Sequence, residues 1–176
     1  RRRRRRGVSG PPPPAAPGVA VDLADAAARC AAWRAAGLAV VVTNGCFDLL
    51  HVGHARYLAA ARALGDRLVV AVNGDGSVRA LKGPGRPIVP AAERAELLAA
   101  LRCVDLAVVF DTATAVEVVR ALRPAVYAKG GDYDAGALRP PEADAAEAVG
   151  AAVRFLPFVA GRSTRTLIDA IRRGAP

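Results

Sequence analysis

A three-layer α/β fold, with helices on both faces of a parallel sheet of about five strands, is what this sequence predicts, and three observations carry the prediction. Short apolar runs rich in valine recur along the chain, at residues 38–42, 67–73, 106–110, 125–128 and 152–156. Runs of that length with little alternation are the mark of strands buried on both faces. Alanine-rich stretches of helical length separate them, and alternating strands and helices build a parallel sheet through right-handed crossovers. Glycine turns follow the first two runs, at the strand ends where such sheets bind ligands.

Each element has a local cause. Residues 1–20 combine six arginines with Pro11 to Pro14 and show no periodicity, so a disordered arm or linker is expected there and a folded domain over 21–176. A first helix over 22–36 begins at the capping residue Asp22 and stops at Gly37, with Trp33 anchoring it to the sheet edge. The strand at 38–42 ends in Asn44-Gly45, and a helix over 56–64 stops at Gly65. After the strand at 67–73, Gly74-Asp75-Gly76-Ser77 turns into a short helix with Ser77 as its cap. Asn73 and Asp75 then share a rim with residues 44–48. Residues 82–87 are broken by Gly and Pro yet carry Lys82 and Arg86, and they are read either as an exposed loop or as a flap that closes two cations over an anion. Pro90 opens a helix through Leu101, in which Arg94 either reaches a phosphate or makes a surface ion pair. Strand 106–110, helix 113–122, strand 125–128, loop 134–141, helix 142–149 and strand 152–156 follow. Ser163 caps a last helix through Arg172.

Composition narrows the class further. The chain has 176 residues, 53% hydrophobic and 5% aromatic, which suits one domain with a core of Ala, Val and Leu. No window approaches the roughly 18 uninterrupted apolar residues of a membrane helix, and no secretory signal pattern is visible. Net charge is +9, of which Arg1 to Arg6 supply six. Basic tails attract nucleic acid or membrane surfaces, but this one runs into a proline tract and reads as a linker, so no specific nucleic-acid binding is expected. Cys30, Cys46 and Cys103 are odd in number and widely spaced, which fits reduced thiols in a cytoplasm. The chain opens on arginine and lacks methionine. A preceding segment is one expectation; a misassigned start is the other.

The densest chemistry lies in residues 43–54. Both histidines of the chain, His51 and His54, stand here beside a glycine turn. A strand, a glycine turn and a helix in that order aim free backbone N–H groups and the positive end of the helix dipole at the loop, which makes an anion seat. If the helix begins near Val52, the two imidazoles project to one side of its first turn. Donors fixed there would stabilise charge growing on phosphoryl oxygens, as a nucleotidyl transfer requires. Core histidines are the alternative; a zinc pair would need a third ligand that no other histidine supplies. At the other end of the chain, the hydroxyls of Ser163 and Thr164 at a helix start make either a second phosphate site or a plain cap. Lys129-Gly130-Gly131-Asp132 at the end of the fourth strand permits close backbone approach and adds charge.

The run Asn44-Gly45-Cys46-Phe47-Asp48-Leu49-Leu50-His51-Val52-Gly53-His54 resembles the G-x-F-D-x-x-H-x-G-H signature of the cytidylyltransferase-like nucleotidyltransferases. Three further blocks follow in the family's order: Val72-Asn73-Gly74-Asp75 leading to Leu81-Lys82-Gly83-Pro84-Gly85-Arg86-Pro87, then Lys129-Gly130-Gly131-Asp132-Tyr133, then Gly161-Arg162-Ser163-Thr164. With these the chain is most similar to the heptose 1-phosphate adenylyltransferases, over about residues 40–171. The resemblance implies a Rossmann-like domain that converts ATP and a sugar 1-phosphate to ADP-sugar and pyrophosphate, with Mg2+ bridging phosphates. It implies catalytic roles for His51, His54 and Lys82, and nucleotide contacts from Asn44, Gly45, Cys46, Phe47, Gly53, Lys129, Gly130, Asp132, Ser163 and Thr164. Asp48, Asn73, Asp75, Arg86 and Arg94 are candidates to orient these groups, meet substrate or assist the metal. The family pattern differs after Phe110, where Asp111-Thr112-Ala113-Thr114 lacks a second acid, and at Arg165, where a third hydroxyl is commoner. Bifunctional family members carry an N-terminal sugar kinase domain, so fusion to or pairing with one is expected, with homodimerisation left open. A cytidylyltransferase acting on glycerol 3-phosphate shares the first motif, and a nucleic-acid-binding module using the arm is the distant reading.

Overall fold

The computed structural model describes residues 18–19, 22–131, 139–157, 161 and 163–174. Helix α1 (Leu23–Ala35) starts where Asp22 accepts a hydrogen bond from the Asp25 N–H at 2.8 Å, the cap expected from sequence. Strand β1 (Val40–Gly45), helix α2 (Val52–Arg62) and strand β2 (Arg67–Asn73) form the first crossover. Helices α3 (Asp75–Lys82) and α4 (Ala91–Ala99) lead to β3 (Leu106–Phe110). Then come α5 (Val116–Leu122), β4 (Val126–Gly130), α6 (Pro141–Ala148), β5 (Ala152–Leu156) and α7 (Thr164–Arg173). Strand β4 extends past the predicted 125–128 to Gly130, which puts Lys129 inside it.

All five strands pair in parallel, in the order β3-β2-β1-β4-β5. The chain builds outward from β1 in one direction, then returns to β1 and builds in the other. This reversal lies between β1 and β4, and it leaves a crevice beyond their carboxyl ends. Strand β1 pairs with β2 from Val40 to Gly45, but its register with β4 is confined to Val41↔Val126 and Val42↔Tyr127.

One face of the sheet is covered by α1, α5 and α6, around Ala26, Cys30, Val42, Val119 and Tyr127. The other is covered by α2 and α4, around Val41, Leu58, Val70 and Leu98. Trp33 packs against the first of these cores, and the Arg67 guanidinium lies over its ring at 5.8 Å. Valine and alanine dominate both layers, as the low aromatic content requires.

Two expectations need correction. Gly18 and Val19 fall within the arm expected at 1–20, yet Val19 bridges to Ala107 and the Gly18 carbonyl accepts from the Ala107 N–H at 2.7 Å. Strand β3 is the outermost strand of the sheet, and the backbone groups on its free edge offer that pairing; the rest of the predicted arm lies outside the described residues. Ser77 is not the cap of α3, because the helix already starts at Asp75 behind Gly74, and the Ser77 hydroxyl donates back to the Gly74 carbonyl at 3.1 Å. Among the described residues no helix is long and apolar enough to cross a membrane.

Candidate functional site

A cleft of about 1220 Å³ opens at the carboxyl edge of the sheet, over the point where β1 and β4 diverge. Its floor is laid by β1. Gly45 closes the strand, and a Cβ there would lie 2.9 Å from the Phe47 ring. Phe47 itself holds φ at 46°, a left-handed conformation uncommon for a large side chain. That twist folds the ring back over Gly45, where its edge meets His54 at a centroid distance of 5.2 Å. The glycine is needed by the phenylalanine, and the phenylalanine positions the imidazole.

His51 is the N-cap of α2, with extended backbone and no side-chain cap bond, so the first N–H groups of the helix are not used by the cap. His51 and His54 stack at 3.8 Å between centroids and 21° between planes, and both line the cleft. The convergence expected from their spacing is therefore present. Burial and the neighbouring His51 lower the His54 pKa to about 4. A neutral imidazole stands there at neutral pH. Its buried Nδ1 has no hydrogen-bond partner among the described residues.

Lys82 and Gly53 line the cleft, Lys82 from the end of α3 and Gly53 from within α2. Asn44 and Lys129 meet across the β1–β4 divide: Asn44 Oδ1 accepts from Lys129 Nζ at 3.0 Å and from the Tyr127 hydroxyl at 2.7 Å. Burial pulls the Lys129 pKa down, while the Glu142 carboxylate and Cys46 act to raise it. Cys46 is in the wall, and burial raises its thiol pKa. Gly130 lines the cleft too; Asp132 lies outside the described residues.

The structure redistributes the remaining carboxylates and cations. Asp48 is 1% exposed; its Oδ1 accepts from the Ile88 and Val89 N–H groups at 2.8 and 3.0 Å, and its Oδ2 accepts from Arg86 Nε at 2.5 Å. Asp48 is thus an anchor for the 83–90 segment. Arg86, expected to close over an anion with Lys82, is held by Asp48 at the cleft wall. Arg94 neither reaches the cleft nor lies on the surface. It is fully buried, and it donates to the Val89 carbonyl at 2.8 Å, to the Cys46 carbonyl at 2.5 Å and to Asp75 Oδ1 at 2.7 Å. Asp75 is consequently a partner of Arg94. Asn73 does line the cleft, donating to the Ser77 hydroxyl at 3.2 Å.

The far wall is α7. Ser163 and Thr166 form a capping box, with Ser163 Oγ accepting from the Thr166 N–H at 3.1 Å and Thr166 Oγ1 accepting from the Ser163 N–H at 2.9 Å. Ser163 is the cap of α7, and Thr164 Oγ1 points toward the Leu49 carbonyl at 3.5 Å. Both residues nonetheless line the cleft. Sequence reasoning missed Thr166, Asp169 and Arg172 in this wall, and Tyr57 and Glu142 opposite. Thr166 was legible as the partner of a Ser-x-x-Thr box; Glu142 reads in sequence like any acidic residue in a first helical turn.

Comparison with known proteins agrees with this architecture. The cytidylyltransferase-like family model matches residues 42–161. The bifunctional protein HldE of Methylococcus capsulatus is 55% identical over 142 residues, which is 80% of this chain and 30% of that protein. The bifunctional protein HldE of Azorhizobium caulinodans is 49% identical over 161 residues, covering 90% of this chain and 33% of its own length. The chain therefore spans about a third of these curated relatives. Among solved structures, the lipopolysaccharide core biosynthesis protein of Thermoplasma volcanium GSS1 superposes with a TM-score of 0.57 at 28% identity, over 70% of this chain and 98% of that one.

Proposed function

Since this chain belongs to the cytidylyltransferase-like family and is a nucleotidyltransferase, we propose that it joins ATP to a heptose 1-phosphate, giving ADP-heptose and pyrophosphate. The observation that carries the reading is the stacked imidazole pair at the α2 N-terminus, facing a cleft with room for a nucleoside triphosphate and a sugar phosphate together. A phosphate oxygen of the sugar phosphate attacks the α-phosphorus of ATP, and the bond to the pyrophosphate oxygen breaks in line. The leaving group departs with its negative charge, so no protein nucleophile is required.

His51, His54 and Lys82 act on the charge that builds on the phosphoryl oxygens, together with the first N–H groups of α2. His54 begins neutral and donates a hydrogen bond; the negative charge of bound phosphates favours its protonation. Gly45, Cys46 and Phe47 bring backbone close to the phosphates, and Lys129 holds the opposite strand end. Ser163 and Thr164 offer hydroxyls from α7. Mg2+ would enter this site as a cation carried by the phosphates, a mode of binding that does not need a cage of protein carboxylates. Its contribution when bound is to neutralise phosphate charge.

The names of the relatives support the sugar-phosphate reading. The Thermoplasma protein is described as serving lipopolysaccharide core biosynthesis, and the HldE proteins are called bifunctional. A sugar kinase in the remaining length of such proteins would supply the sugar phosphate. His54→Ala should cut turnover by about a hundredfold or more while leaving the fold intact, measured as pyrophosphate release from ATP and heptose 1-phosphate. Undiminished release would reject the reading. The family's description favours a second one, transfer from CTP to an alcohol phosphate such as glycerol 3-phosphate, and the same assay run with CTP separates the two.

A further inference from the structure

We propose that Glu142 is a specificity-determining residue of the cleft, accepting a hydrogen bond from a sugar hydroxyl of a bound substrate. The inference rests on the nucleotidyltransferase reading and assigns the part of the cleft that the phosphates do not use.

The position of the residue is the first argument. The cleft straddles the sheet edge: His51, His54 and Tyr57 reach it from the face covered by α2, whereas Glu142 reaches it from the opposite face, where α5 and α6 pack together. Asn44 and Lys129 lie between the two ends. Phosphates belong at the imidazole end, with the helix N-terminus and Lys82. A carboxylate at the other end repels phosphate and suits a neutral group that donates hydrogen bonds.

Burial is the second argument. Glu142 is only 6% exposed, an expensive place for a carboxylate. Its Oε1 accepts from the Ala115 N–H at 3.0 Å, and its other oxygen has no hydrogen bond among the described residues. Favouring the dipole of α6 would not require this burial, since an exposed acid in the first turn does so at no desolvation cost. The Lys129 ammonium attracts this carboxylate, and beyond that attraction and the Ala115 bond the second oxygen is an acceptor at the cleft wall. Hydroxyls come from two sources here, the ribose of the nucleotide and the acceptor sugar.

The test is a comparison of hydroxyl and deoxy ligands on the full chain. Equilibrium binding of ATP, 2′-deoxy-ATP and 3′-deoxy-ATP reads the ribose source without turnover, and heptose 1-phosphate against its monodeoxy analogues reads the acceptor source. Wild type should prefer the hydroxyl form by about tenfold or more in one of the two series. Glu142→Gln should reduce that preference to near unity in the same series and leave the other unchanged, because glutamine can still accept from Ala115 but offers no charged acceptor. Glu142→Asp, which keeps the charge and withdraws it by one methylene, should show an intermediate ratio and serves if the glutamine variant does not fold. Ratios unchanged by both substitutions in both series would overturn the proposal. A wild type that binds ATP but makes no ADP-heptose would reject the proposed reaction, while the nucleotide series would still report on Glu142.

Discussion

On the β1 side of the cleft Asp48, Asp75 and Arg94 are tied to backbone or to one another, whereas the α7 side is formed by a helix that buries none of its ten residues. Arg94 alone joins three segments, through Cys46, Asp75 and Val89. Helix α7 is held at its start by the Ser163–Thr166 box, and Ile171 near its end is 72% exposed. The difference separates two tasks. Charge stabilisation needs groups fixed before the reaction; a wall that admits and releases ligands is drawn from the least packed part of a fold.

The largest effect that would sharpen this contrast comes from removing the buried guanidinium. Arg94→Leu should destabilise the protein by about 3–5 kcal/mol, because Asp75 loses its charged partner and two carbonyls lose their donor. Denaturant unfolding reads it, and a loss under about 1 kcal/mol would break the idea of a locked wall. Next comes pH. The unfolded His54 imidazole takes up a proton near pH 6.5, but the folded one does so only at about 4, so the unfolded state gains as pH falls through that interval. About 3 kcal/mol is at stake, present above pH 6.5 and lost toward pH 4. Melting curves across that range should slope less in His54→Asn than in wild type. In the same sense, ATP binding should draw protons onto the site, visible as heats that depend on the buffer's ionisation enthalpy.

The smallest effect belongs to α7. Ser163→Ala should cost about 1 kcal/mol of helix stability and hardly move global unfolding, since so little of the helix is packed. Amide exchange should instead report it, fast in α7 without ligand and slowed by ATP, while α2 and α4 stay protected in both states. Equal protection of α7 and α4 without ligand would erase the comparison.

Much of this was legible in the sequence, for reasons that differ by element. Strands β2, β3 and β5 match their predicted limits because continuous apolar runs bounded by turn residues leave little choice. His51 and His54 were placed correctly because a three-residue spacing fixes which side of a helical turn they share. Arg94 departs from its expected surface or phosphate role for the opposite reason: charge and helical position favour the surface, and its buried partners are a carbonyl 48 residues earlier and an acid 19 residues earlier. No periodicity encodes such partners. Asp48 shows the same limit, since the N–H groups it accepts from lie 40 and 41 residues further on. Glu142 was hidden because its sequence context, following Pro141 at a helix start, is shared by countless surface acids.

The brevity of the β1–β4 register has its own consequence. With backbone pairing confined to two positions there and the strands parting just beyond, the Asn44 carboxamide stitches the seam side chain to side chain, receiving both Tyr127 and Lys129. A ligand that draws the lysine's ammonium away would loosen that stitch, so the two halves of the sheet would sense occupancy through one amide oxygen.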